Sequence, residues 1–227
     1  MARSKPILRT NLNYVIKLMQ FSLENNSLSR STALKKLQEQ QEHNPFKILI
    51  ATILSARSRD ENTTRVIEKL FFEYKNIEDL ANANLERLKD IIHSIGFYNV
   101  KASRIKRVAQ ILIEKFDGRV PSTIEELLEL PGVGRKTANC VLVYAFNKPA
   151  IPVDIHVHRI SNRLGIVVTK KPEETEKALE KIAKEKDWFK INETFVKYGQ
   201  NICLPINPAC GICSLRRKCK YYKYVNH

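Results

Sequence analysis

Three features of the sequence predict a mostly helical protein. Apolar residues recur at helical spacing along most of the chain, with short breaks and no fixed-length repeat. Only seven glycines occur in 227 residues, too few for a sheet-rich fold with many tight turns. At 43% apolar content the chain can bury one large core or two small ones, which argues against general disorder.

Taken in order, Asn11 to Leu23 and Ser31 to Glu42 read as amphipathic helices that end at a tight turn, His43-Asn44-Pro45. Ile48 to Leu54 is a buried segment, well short of the ~18 apolar residues a membrane helix needs. About six helical segments are expected between Phe46 and Phe146 from their periodicity. Their breaks include Ser58-Arg59-Asp60, Gly96, Asp117-Gly118, Pro121 and Pro131-Gly132. Thr123 to Glu126 fits a capping box in which the threonine caps and Glu126 reaches back. Ala150 to Val153 reads as a short extended stretch, Pro172 to Glu185 as a helix, and the tail from Cys203 as loop. No signal-peptide core follows Met1, so a cytoplasmic protein with no membrane partner is expected.

Basic residues outnumber acidic ones, and 39 − 24 gives a net charge of +15. Such an excess repels itself and is ordinarily kept to meet a polyanion. Nucleic acid is the expected partner, with a solvated basic face as the alternative.

Four of the five cysteines form a C-x6-C-x2-C-x5-C array at Cys203, Cys210, Cys213 and Cys219. Four thiolates so close in sequence make a closed sulfur cage, which suits an iron–sulfur cluster or a zinc ion. Zinc sites more often pair two C-x2-C knuckles, whereas this array has one. Between the last two cysteines stand Arg216, Arg217 and Lys218, and no acidic residue follows Glu193. That loop reads as a phosphate clamp, with a solvated charge run as the alternative.

A second constellation is Leu130-Pro-Gly-Val-Gly-Arg-Lys-Thr-Ala138. An apolar helix runs into Pro131-Gly132, and a new helix begins near Gly134, with Ala138, Val141, Leu142 and Ala145 on one face. Helix, glycine turn and helix make a helix–hairpin–helix, whose glycines admit a phosphate to the backbone and whose second helix presents its positive end. Lys136 lies in the first turn of that helix. A free lysine has pKa ~10.4, so fewer than about one in a thousand is neutral at pH 7. The helix end, Arg135 and partial desolvation all favour the neutral amine, a nucleophile; a plain phosphate contact is the other reading. From Lys136 to Phe146 a helix rises about 15 Å. An extended Ala150 to Asp154 retraces about 13 Å, which can bring Asp154 back near the lysine. Asp154 equally fits an N-cap for the segment starting at Ile155.

These pieces resemble the endonuclease III family of DNA glycosylase/AP lyases in the helix–hairpin–helix GPD superfamily. The resemblance is carried by Leu130-Pro-Gly-Val-Gly-Arg-Lys-Thr-Ala-Asn139, Val153-Asp-Ile-His-Val-His-Arg-Ile160 and the four-cysteine tail. Asn44-Pro-Phe46, Leu54-Ser-Ala56 and Ile95-Gly-Phe-Tyr-Asn99 add weaker support, so the match runs from about residue 44 to 219 in the family's order. It implies an all-α, two-lobed fold. A six-helix domain would span 43–149, with the hairpin at about 123–146, and a discontinuous cluster domain would combine 1–42 with 150–227. It implies one [4Fe–4S] cluster per chain on Cys203, Cys210, Cys213 and Cys219. The partner would be double-stranded DNA holding damaged bases or abasic sites, bound by a monomer.

In the implied reaction a damaged base, typically an oxidised pyrimidine, is flipped into a cleft between the lobes. Lys136 attacks sugar C1′ and forms an imine, and β-elimination cuts the strand. Asp154 assists base departure. Gly132, Val133 and Gly134 would hold phosphate through the backbone, beside Arg135. Arg57 stands where many relatives have glutamine, the group thought to fill the gap left by the flipped nucleotide. Phe97 stands where the wedge is often leucine, and Ile155 where threonine is common. Cys140 is read as a small buried hydrophobe. Two alternatives remain: a monofunctional mismatch or adenine-DNA glycosylase, and a noncatalytic cluster-containing DNA-binding protein. The adenine group typically lacks the lysine at position 136 and has asparagine where His156 stands; retention of Lys136 and Asp154 argues against the noncatalytic protein.

Overall fold

The structure is a computed structural model that describes residues 11–28, 44–56 and 60–225. Among these residues every regular element is helical and no strand occurs. The helix expected over Ser31–Glu42 and the DNA contact expected at Arg57 lie outside the described residues. The chain divides into two compact units, Met1–Ser31 with Pro149–His227, and Thr32–Lys148. The division expected from sequence differs from this one at Pro149 and at 32–42, the latter outside the described residues.

Side-chain caps explain where many helices start. Helix α1 (Leu12–Glu24) begins at Asn11, whose side-chain oxygen accepts the Tyr14 N–H at 3.0 Å. In the second unit, Asn44 starts α2 (Pro45–Ser55) in the same way, with Pro45 pre-set in the first turn. After α3 (Asp60–Glu73), Asn76 and Asn84 cap α4 (Ile77–Ala81) and α5 (Leu85–Ile92). Helix α6 (Tyr98–Phe116) follows, then α7 (Ile124–Leu128) and α8 (Arg135–Phe146). Thr123 caps α7, but the Glu126 carboxylate accepts a hydrogen bond from the threonine hydroxyl at 2.6 Å instead of reaching a backbone amide.

Helix α2 is the centre of this unit. Every residue from Ile48 to Leu54 is buried, and the helix packs against α8, α3 and α6. Helix α6 lies on α4 and α5 through Ala102, Ile105, Val108 and Leu112.

The other unit resumes at Pro149. Ala150 to Val153 forms no strand, because no neighbouring strand exists to pair with it among the described residues. Its Ile151 and Val153 are nevertheless buried, and the buried Asn192 side chain donates to the Pro152 carbonyl at 2.6 Å. Helix α9 (Ile155–Leu164) leads to α10 (Pro172–Ile182), which stops short of Glu185. The Trp188 indole donates to the Ala183 carbonyl there, and a 3₁₀ turn at Glu185–Asp187 carries the chain into α11 (Trp188–Asn201). A short α12 (Lys220–Val225) follows the cysteine loop. Helix α11 packs on α1 and α9, and Val15, Ile16, Met19, Ile160 and Phe195 form the centre of that core.

Candidate active site and cluster loop

The hairpin is built from two glycines with different tasks. Gly132 has φ +83°, a left-handed conformation that side chains avoid, and a Cβ there would stand 2.9 Å from Arg104 Cδ. Gly134 has φ −96° and open space around it, and it starts α8 without any side-chain cap. Leu130 and Val133 anchor the turn in the core, and the Val133 N–H donates to the Leu130 carbonyl at 3.0 Å. That bond commits the Val133 amide to the turn itself. From Thr137 to Ala145 helix α8 is buried, including Cys140, so only its first turn faces outward. Arg135 and the half-buried Lys136 occupy that turn, at the positive end of the helix dipole.

Asp154 belongs to the other unit, where it caps α9. One carboxylate oxygen accepts the N–H of His156 at 2.9 Å and of Val157 at 2.8 Å, and the side chain is half-buried. Further along α9, Arg159 donates to His156 Nδ1, the Gly199 carbonyl and the Cys203 carbonyl. Helices α9 and α11 meet closely at Gly199, where a Cβ would stand 2.5 Å from His156 Nδ1.

The four cysteines line one cavity, together with Tyr198 and Tyr221 among others. The buried Tyr198 hydroxyl donates to Cys213 Sγ at 2.8 Å. Burial pushes the thiols of Cys210, Cys213 and Cys219 up from their ordinary range, and neighbouring thiols add to this. Arg163 donates to Cys203 Sγ and to the carbonyls of Leu204 and Pro205, with its guanidinium 4.3 Å above the Tyr221 ring. Among the described residues no three His, Cys, Asp or Glu side chains, the four cysteines included, converge closely enough to hold one metal ion.

The basic loop is tied down at both ends by α1. Ser22 Oγ accepts the Ser214 N–H at 3.0 Å, and Lys218 reaches the Tyr14 hydroxyl at 3.1 Å while standing 4.5 Å above its ring. Arg217 and Lys218 are exposed, whereas Arg216 is half-buried, donates to the Gly211 carbonyl and lines the cysteine cavity. Phe97 is 65% exposed at φ +61°, immediately before α6. A bulky residue seldom holds that backbone conformation.

Sequence reasoning missed several supporting residues. Lys101 sits on the apolar stripe of α6, only 5% exposed, and donates to the carbonyls of Leu54 and Ala56 at the end of α2. A lysine in register with Ile105, Val108 and Leu112 was the available signal. Arg159 and Arg163, four apart on α9, could likewise have been read as one functional face.

The HhH-GPD superfamily model, that of base excision DNA repair proteins, matches residues 50–185. The chain belongs to that superfamily. Within it, endonuclease III of Thermotoga maritima is 50% identical over 196 residues, 86% of this chain and 92% of the relative. Among solved structures, a trapped endonuclease III–DNA covalent intermediate with an estranged adenine superposes at TM-score 0.83 and 35% identity, covering 96% of this chain and 99% of that one. A thermostable thymine-DNA glycosylase superposes at TM-score 0.82 but 25% identity, covering 97% and 100%. No helix among the described residues is long and apolar enough to cross a membrane.

Proposed function

We propose that this chain is a base-excision DNA glycosylase and AP lyase of the endonuclease III kind, with Lys136 as nucleophile and Asp154 as its assistant. The carrying observation is a half-buried lysine in the first turn of a helix that begins on a glycine and has no side-chain cap. Fold alone does not choose the chemistry, since the thymine-DNA glycosylase superposes almost as well. The higher identity to endonuclease III favours the bifunctional reading over a monofunctional mismatch enzyme.

The positive helix end disfavours an ammonium at Lys136 and so favours the free amine. The Nζ lone pair attacks C1′ of the deoxyribose, and the glycosidic bond breaks with its electrons leaving on the base. Asp154 stabilises positive charge on the sugar and handles the protons of base departure. Loss of the second amine proton and ring opening give an imine between Nζ and C1′. Removal of a C2′ proton then expels the 3′ phosphate, cutting the strand, and water releases the lysine. Oxidised pyrimidines in duplex DNA are the substrate class, bound by a single copy of the chain in the compartment that holds the DNA. Gly132, Gly134 and Arg135 take the backbone phosphate, Arg217 and Lys218 clamp a second stretch, Phe97 wedges the stack and Arg57 fills the vacated gap.

Cys203, Cys210, Cys213 and Cys219 fit a [4Fe–4S] cluster by donor chemistry, since four soft thiols surround one cavity flanked by the guanidinium of Arg163. Bound there, the cluster would supply four iron–thiolate bonds that fix the loop carrying the clamp. The purified protein is expected to hold about four irons per chain and to absorb broadly in the visible. A colourless, zinc-loaded protein overturns that assignment.

Borohydride in the presence of an abasic-site duplex tests the reaction. A covalent protein–DNA adduct is expected with the wild type and none with Lys136→Ala. Equal trapping by both proteins would remove Lys136 from the chemistry.

A further inference from the structure

Beside the hairpin, within the same unit, lies an open groove lined by Lys89, Asn99, Ser103, Arg104, Arg107 and Pro131 among others. We infer that this groove is a second phosphate site, which takes the duplex-backbone phosphates next to the one held at the hairpin. The inference rests on the reading of the hairpin as a DNA contact.

Three observations carry it. The lining supplies three cations and two neutral hydrogen-bonding side chains, and no carboxylate. The groove opens at the start of α6, a 19-residue helix whose first residue has no side-chain cap, and Asn99 and Val100 of its first turn form part of the wall. The helix field there favours an anion in the same sense as the arginines do. Finally, the groove and the hairpin share structure: Pro131 lines it, and the Arg104 stem lies against Gly132. An anion held at the turn and one held in the groove would therefore sit side by side.

The charges are suited to exchange partners. Lys89 is paired with Glu86 at 2.7 Å, and Arg107 with Glu114 at 2.9 Å, all on the surface. Exposed pairs of this kind hold weakly and are screened by salt. A phosphate can give the Arg107 guanidinium two oxygens at once, where Glu114 now gives it one. Neutralising these groups should thus remove their own share of counterion release from DNA binding while leaving the fold intact.

The test is duplex binding across a salt series with an abasic-site analogue, comparing wild type with Lys89→Gln/Arg104→Gln/Arg107→Gln. At ~0.9 per phosphate, the slope of log affinity against log salt should become shallower by about 2 to 3. The charge-keeping variant Lys89→Arg/Arg104→Lys/Arg107→Lys should restore it, which a merely structural role would not predict. A scan replacing single phosphates by methylphosphonate locates the contact. Positions that weaken the wild type but not the neutral variant should adjoin the position whose effect disappears in Gly134→Ala. An unchanged slope, or identical scans for wild type and the neutral variant, eliminates the groove. A wild type without salt-dependent duplex binding removes the DNA reading and the groove together.

Discussion

Helices α8 and α9 meet the same physical demand in opposite ways. Every helix start gathers backbone N–H groups and a partial positive charge. Helix α9 brings its own anion: the Asp154 carboxylate sits on the amides of His156 and Val157. Helix α8 starts on Gly134 and offers no side chain at all. One end is closed by the protein, and the other is shaped for an anion from outside. On the proposed reading one carboxylate, Asp154, is both a cap and a catalytic group, so the two roles have to be separated by experiment.

The largest effect should come from separating them. Asp154→Asn keeps an oxygen for the two amides, since asparagine caps as well as aspartate, yet removes the charge. Lesion excision should fall by about 10²- to 10⁴-fold with melting temperature nearly unchanged. Asp154→Ala should show the same kinetic loss and an additional stability loss of about 1 kcal/mol. Full activity in the asparagine variant would reduce Asp154 to a cap and break the comparison.

A smaller effect should distinguish the two glycines of the hairpin. Gly134→Ala meets nothing within 4 Å, so the fold should stand while a phosphate is held off the helix end. Duplex affinity should drop by about tenfold, the equivalent of one weakened charge-assisted hydrogen bond at about 1.4 kcal/mol. Gly132→Ala should instead lose stability, by about 1–2 kcal/mol for the left-handed backbone alone, because Arg104 must also move. Thermal unfolding beside a binding titration separates them, and the same profile for both would show that one turn, not two separate tasks, is being measured.

A further effect concerns the opposite helix pole. Lys101 donates to carbonyls at the C-terminus of α2, and burial, with Arg104 nearby, lowers its pKa from 10.5 to about 8. Between pH 8 and 10.5 the unfolded chain therefore binds more protons than the folded one. The penalty for the buried charge is full below pH 8 and is relieved as pH rises through that window. Unfolding free energy of the wild type should climb across it relative to Lys101→Met. Parallel curves would place an ordinary lysine there.

Much of the fold was legible because it is local. The spacing of Val15, Ile16 and Met19, the solid apolar run at Ile48–Leu54 and the Thr123 cap all act within a few residues of themselves. The hairpin and the cysteine array were legible for the same reason, as short motifs with fixed spacing. Ala150–Val153 reads as extended, and burial of Ile151 and Val153, not strand pairing, accounts for its β-branched residues. The ties between Tyr14 and Lys218, or Ser22 and Ser214, join positions about two hundred apart and leave no periodic mark. The place of Phe97 was read from Ile95-Gly-Phe-Tyr-Asn99, whereas its left-handed backbone, φ +61°, leaves no mark in the sequence.

The unit that holds the cysteine loop is written in two pieces, with Thr32–Lys148 between them. During synthesis α1 emerges early, yet the helix that covers its apolar face, α11, arrives late. The intervening stretch has all its own packing partners in hand and can collapse first, as continuous segments do on the ribosome. The nascent chain thus carries Val15, Ile16 and Met19 uncovered until α11 is made, and its vulnerability to premature association is concentrated in α1.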